Sequence, residues 1–196
     1  PTRQGAQVTL ARIGFDALTV SLADSDEALM ELVKSRDQDA YARLLDRHMG
    51  SIHAYIYRMC QHQNDADDLT QETFLRLWSR AATWKSGQVQ LTTWLHRIAH
   101  NVCVDTFRRR GPDDYAEIDP DTVAVTDDVP DDDRRRAVHN AIANLPERQR
   151  TALVLCQLHG WSNKDAAEVL SVSVDALESL VARARRTLKR KLSAYQ

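Results

Sequence analysis

Apolar side chains recur every three or four positions along most of this chain, and no segment alternates for long enough to read as a convincing sheet strand. The exception is residues 1–24. There Val8, Leu10, Ile13, Phe15, Leu18, Val20 and Leu22 partly alternate with small or polar residues, a pattern that suits a strand-like arm or a mobile tail and selects neither. From Asp24 the helical period takes over. Asp24 with Glu27, or Ser25 itself, supplies a helix start, and Ala28, Leu29, Leu32 and Val33 form a short amphipathic helix. Tyr41, Leu44, Leu45, Met49, Ile52, Ile56 and Met59 define a long second helix, interrupted by QHQND near 61–65. A third, DADDLTQETFLRLWSRA, puts Leu69, Phe74, Leu77, Trp78 and Ala81 on one side and gathers acids at its start, where the helix dipole favours them. TWKSGQVQ is a loop. LTTWLHRIAHNVCVDTFRRR, residues 91–110, is a fourth helix with Leu95, Ile98, Ala99 and Val102 facing inward.

Gly111 and Pro112 end that helix. The Asp-rich stretch through Asp133, punctuated by Pro120 and Pro130, has too few apolar residues for a core and reads as a linker. The period resumes with Val138, Ile142 and Leu145, breaks at Pro146, and continues through ERQRTALVLCQLHG and SNKDAAEVLSVSVDALESLVARARRTLKRKL. The expected architecture is all-α: two small helical modules, residues 25–110 and 134–196, joined by a flexible acidic linker, residues 111–133. Residues 1–24 are an extension to which the pattern assigns no role.

Composition narrows the class. With 196 residues, 43% hydrophobic and 28% charged, the chain suits one ordinary domain or two small ones. It has no apolar run of about 18 residues, so no membrane insertion is expected. Its first residues, PTRQGAQV, lack a secretory pattern. Cys60, Cys103 and Cys156 are odd in number, far apart and set in apolar helical patterns, which fits buried free thiols in a reduced, cytoplasmic protein. The net charge of −2 hides segregation: every charge from Gly111 to Asp133 is acidic, whereas Arg183, Arg185, Arg186, Lys189, Arg190 and Lys191 crowd the last helix. Segregation of this kind marks a nucleic-acid face beside an acidic tether, or simply two solvated segments.

Residues 162–190 add a specific geometry. Ser162 can cap a short helix, the small Ala166 and Ala167 let another helix pass close, and Leu170, Val172, Val174 and Leu177 fill the angle before a basic second helix. This is helix–turn–helix logic, in which the second helix enters the major groove. A plain helical hairpin is the competing description.

Three blocks, DADDLTQETFLRLW, TWLHRIAHNVCVDTFRRR and LPERQRTALVLCQLHGWSNKDAAEVLSVSVDALESLVARARRTLKRKL, resemble in order and spacing the bacterial RNA polymerase sigma factors of the extracytoplasmic-function class. The resemblance covers about residues 25–110 and 134–192 and implies a sigma-2 helical bundle and a sigma-4 helix–turn–helix. It implies that Asp67, Asp68, Gln71 and Glu72 dock on the clamp helices of the largest subunit of core RNA polymerase. It implies that Trp84, Lys85, Arg97, Asn101, Arg108, Arg109 and Arg110 serve capture and melting of the −10 element, with Asn101 near a flipped base and the arginines on phosphates. Trp94 corresponds to a position that mostly packs inside. For the −35 element of promoter DNA the resemblance implies Ser162, Lys164, Asp175, Glu178, Ser179, Ala182, Arg183, Arg186 and Lys189. The acidic linker would thread the basic cleft of the polymerase. An anti-sigma factor is the expected further partner. No cofactor and no catalytic residue is implied.

Two positions depart from the family pattern. Ser171 stands in the turn where glycine is common, and it tolerates the left-handed conformation less well. Glu178 stands where relatives often carry a base; it cannot pair with guanine but could accept from cytosine N4. Three rival readings remain. A metal or catalytic carboxylate site could use Asp65, Asp67, Asp68 and Glu72, although no histidine converges on them by spacing. His96, His100 and Cys103 share a helix face and could bind zinc. The whole chain could be a two-domain helix–turn–helix regulator that never meets polymerase.

Overall fold

The structure, a computed structural model, describes residues 25–110 and 132–193, the side chains of Arg110 and of residues 132–136 excepted. The expectations for residues 1–24 and for the linker up to residue 131 lie outside the described residues. Among the described residues every regular element is helical.

Helix α1 (Asp26–Lys34) begins where Ser25 accepts a hydrogen bond from the Ala28 amide at 3.2 Å. α2 (Gln38–Cys60) is capped by Asp37, which accepts from the Ala40 amide at 2.8 Å. It ends at Gln61, which takes the left-handed conformation with φ 59°. The interruption is therefore shorter than QHQND: α3 (Gln63–Arg80) starts two residues later, with His62 as its cap. A short 3-10 turn, Ala81–Thr83, leads to the loop before α4 (Leu91–Arg110). Leu29, Met30, Leu44, Ile52, Ile56, Met59, Leu77 and Leu95 close the core of this four-helix unit. Ion pairs and a histidine–carboxylate contact fix its edges. Asp26 meets Arg47 at 2.6 Å and His48 at 2.8 Å, and Arg76 ties Glu72 of its own helix (2.7 Å) to Asp105 of α4 (3.4 Å).

α5 (Asp132–Ala143) begins inside the stretch expected to be linker. α6 (Glu147–Leu153) widens into a π-helical turn, Val154–Leu158, and α7 (Asn163–Leu170) follows. Ser162 caps α7 by accepting from the Asp165 amide at 3.1 Å, and Ser173 caps α8 (Val174–Leu192) by accepting from Ala176 at 3.2 Å. Leu170 and Leu177 fill the angle between α7 and α8, and Val172 is half-buried. Val174 does not join them. It is 39% exposed, because as the first residue of α8 it points away from the turn's inner side.

Ser171 sits in the left-handed region, φ 52° and ψ 50°, where a Cβ costs about 1–2 kcal/mol. Ser171→Gly removes that cost but gives the unfolded chain more freedom, an offset of about 0.5–1 kcal/mol. The expected outcome is a gain of up to about 1 kcal/mol in a urea melt. A loss would show that the serine hydroxyl holds the turn.

The two units are not held apart. One continuous apolar cluster runs from Ile98, Ala99 and Val102 of α4 into Ala152 and Leu155, and on to Ala166, Val169 and Leu170 of α7. A smaller cluster, Leu145, Leu153 and Ala184, holds α6 and α8 together. The sequence leads one to expect separate modules because a long acidic stretch divides them. It does not reveal that α4 carries a second buried face, which packs on α7.

Candidate nucleic-acid and partner interfaces

The acidic residues of α3 line up but are not equivalent. Asp67 is exposed and is held by His53 Nε2 at 2.9 Å and by the Gln63 amide nitrogen at 3.1 Å. Glu72 is committed to Arg76. Asp68 and Gln71 are exposed, and Asp68 makes no hydrogen bond or ion pair among the described residues. Asp67 and Gln71 border an open groove of about 710 Å³ between α2 and α3, whose walls include Tyr41, Leu45, Met49, Phe74 and Leu75. Met49 and Leu75 are 46% and 54% exposed, so the groove presents apolar surface to solvent. Met49 belongs to the apolar repeat that defines α2, and Leu75 belongs to no apolar repeat. The available signal was that Leu75 lies off the apolar stripe of its own helix.

On α4, Arg97, Asn101, Asp105 and Arg108 follow one another at helical spacing on an outward stripe. Asn101 and Arg108 are exposed and Arg97 is half-buried. The Asn101 amide makes no side-chain hydrogen bond among the described residues. Arg109 is partly engaged with the Asp105 carbonyl (3.3 Å) and the Thr106 hydroxyl (3.2 Å). Lys85 is exposed, whereas the side chain of Arg110 lies outside the described set.

Trp84 requires correction. It was expected on the DNA side, yet it is 2% exposed and its indole Nε1 donates to the Val89 carbonyl at 3.2 Å. Lys34 of α1 lies 5.2 Å from the ring centroid. A ring so enclosed offers no face to a base in this conformation. The loop after α3 folds back over the bundle, and its largest apolar side chain closes the end. Trp94, at 8% exposure, also packs inside.

The inward face of α4 carries the three residues with zinc-ligand spacing. All three pack instead. His96 Nδ1 contacts the Thr92 carbonyl at 2.8 Å, and its ring lies 4.5 Å from that of Trp161. His100 Nδ1 lies 3.4 Å from the Tyr55 hydroxyl and 3.5 Å from that of Thr151. Burial pushes the Cys103 thiol well up, and that of Cys60 up to about 11, so both are inert thiols at neutral pH.

On α8 the implied −35 residues share one exposed face: Asp175, Glu178, Ser179, Ala182, Arg183, Arg186 and Lys189, with Ser162 and Lys164 exposed at the start of α7. Leu177, Val181 and Ala184 form the opposite, buried face. Glu178 accepts from the Asn163 side-chain amide at 3.0 Å. That bond ties the acid to α7 and competes with any use on a base.

A chain whose described residues form only helices, with a capped helix–turn–helix, an outward amide-and-arginine stripe and an acid-rimmed apolar groove, has counterparts. Residues 44–112 match the family Sigma-70 region 2, and residues 135–188 match Sigma-70, region 4. The ECF RNA polymerase sigma factor SigM of Mycobacterium tuberculosis (strain ATCC 25618 / H37Rv) is 32% identical over 168 residues, which cover 86% of this chain and 85% of SigM. The ECF RNA polymerase sigma factor SigW of Bacillus subtilis (strain 168) is 29% identical over 174 residues, covering 82% and 92%. Among solved structures, CnrH in complex with the cytosolic domain of CnrY superposes with a TM-score of 0.67 at 26% identity, over 87% of this chain and 99% of that one. The chain belongs to the ECF RNA polymerase sigma factors. None of its helices among the described residues is long and apolar enough to cross a membrane.

Proposed function

We propose that this sigma factor docks on core RNA polymerase through the α2–α3 groove, engages the −10 element with the outer stripe of α4 and reads the −35 element with the exposed face of α8. It performs no catalysis itself; polymerase makes the RNA. It works in the cytoplasm, where polymerase and promoters are, and a second protein of anti-sigma type holds it in check, as CnrY accompanies CnrH. The observation that carries the docking role is the groove: an exposed apolar trough with Asp67 and Gln71 at its edge is the kind of surface that takes a partner protein. Run-off transcription with core polymerase on a genomic promoter library tests the whole reading. The expected result is a discrete set of starts that vanish without this protein. DNA binding without any core-dependent start would leave a plain helix–turn–helix regulator.

Asn101 offers a sharper test. Its amide is exposed, unengaged, and can both donate and accept. Asn101→Ala is expected to leave the melting temperature unchanged and to cost roughly 1–3 kcal/mol of open-complex stability, the worth of a base-edge contact. A pre-melted bubble template should restore part of the loss, because unstacking is already done. Permanganate footprinting of duplex and bubble promoters reads both; normal opening on the duplex ends the flipped-base role.

A further inference from the structure

The apolar seam between the two units also buries three imidazoles, those of His96, His100 and His159. His159, at the end of the π-helical turn, accepts a hydrogen bond at Nε2 from Arg58 of α2 at 3.0 Å. A guanidinium only donates, so this bond requires an unprotonated Nε2. The His159 ring also lies 6.1 Å from those of Tyr55 and His96. His96 is 2% exposed; its Nδ1 is taken by the Thr92 carbonyl, and its Nε2 is buried without a partner. A proton on that atom would bring a charge into the seam with no acceptor to receive it. His100 meets Thr151 of α6 across the same boundary.

The surroundings do not favour a proton. Carboxylates do act nearby: Glu147 on Tyr55 and Cys103, Asp65 on Cys60. The charges felt by the histidines themselves are cationic: His159 and His48 at His96, Arg148 and Arg108 at His100, Arg58 at His159. Burial is the leading cause that lowers His96 and His100 to about 4; the Thr92 carbonyl pulls His96 the other way, the cations add to the lowering, and burial lowers His159 as well.

We propose that this seam is a proton-operated clasp: it holds the two units together while His96, His100 and His159 are neutral and releases them when they are protonated. Its consequence for transcription rests on the promoter reading above. Both outward faces stay free in the closed state, yet α4 and α7 touch. The −10 and −35 elements lie about 25 base pairs apart, roughly 85 Å at 3.4 Å per pair. Neither unit can reach its element while the other holds its own unless the seam parts. Residues 111–131 can span at most about 75 Å, which, with the widths of the units, covers the distance.

The sign follows from the ring chemistry. Released histidines have the ordinary value of 6.5; clasped His96 and His100 lie near 4, and clasped His159 lies below its ordinary value. The clasp is therefore at full strength above pH 6.5 and weakens as pH falls toward 4. At pH 5.5 each of His96 and His100 shifts the equilibrium toward release by about 10-fold, or about 100-fold together.

Small-angle X-ray scattering of the full chain between pH 7.5 and 5.0, with circular dichroism on the same samples, tests the clasp without polymerase or promoter. It therefore stands or falls separately from the transcription assay. The expected result is a compact particle at pH 7.5, a radius of gyration that grows by a third or more by pH 5.0, and retained helicity. The double variant His96→Phe with His159→Gln keeps the ring packing and an acceptor for Arg58 but loses two titrating groups. It should stay compact at least half a pH unit further into acid, and His159→Gln alone should show part of that shift. A wild-type particle already extended at pH 7.5, one still compact at pH 5.0, or variants that expand at the same pH as wild type would each overturn the proposal.

Discussion

Trp84→Ala is expected to destabilise the protein by about 3–5 kcal/mol, the cost of removing a large buried aromatic and leaving a cavity. For a chain of this size that lowers the melting temperature by roughly 6–20 °C. The indole is enclosed by the end of the four-helix unit, and its Nε1 supplies the Val89 carbonyl with a donor. Alanine loses both the volume and the donor. Trp84→Phe separates them: most of the ring packing remains, so the loss should fall to about 1–2 kcal/mol, near the cost of one unsatisfied carbonyl. Thermal and urea melts of the two variants measure these differences. Promoter binding per folded molecule should be unchanged in Trp84→Phe. A variant of full stability with weakened −10 binding would mean that the ring leaves its seat to meet DNA.

The misplacement of Trp84 shows where sequence reasoning lost its grip. Next to Lys85, in a loop, an indole looks like a stacking platform, and no periodicity exists in a loop to say which way it turns. Helices were different. Asn101 was legible as outward because Leu95, Ile98, Ala99 and Val102 already define the core side of α4. Ser162 declared itself as a cap, and Ser171 fell in the left-handed turn position. The contact between units was illegible for a physical reason. Its residues, His96, His159, Trp161 and Arg58, are amphipathic or polar and lie far apart in sequence, and a π-helical turn sets the position of His159. No local pattern announces that a histidine is buried against another histidine.

Asp68→Lys is the largest expected effect on function, about 100-fold weaker binding to core polymerase. The resemblance groups four α3 residues for docking, and the structure separates them. Asp67 already accepts from His53 and Gln63, and Glu72 already pairs with Arg76. Only some of their capacity remains for a partner. Asp68 is exposed and uncommitted among the described residues, so it can give its whole charge to a cation on the enzyme. A charge-assisted hydrogen bond is worth about 1.5–3 kcal/mol, and lysine adds repulsion, so a loss of about 2.7 kcal/mol, or 100-fold, is expected. Asp68→Asn should lose less, since the amide oxygen still accepts. Glu72→Lys is a poorer probe, because it also sets two cations four residues apart on α3 and leaves Arg76 with Asp105 as its remaining carboxylate partner. Fluorescence titrations of core polymerase at 50 and 300 mM salt give the deciding comparison. The gap between wild type and Asp68→Lys should narrow at the higher salt, as screening weakens the lost attraction and the new repulsion alike. Affinities within threefold of each other at both salts would remove Asp68 from the docking surface and leave the apolar walls, Met49 and Leu75, to account for it.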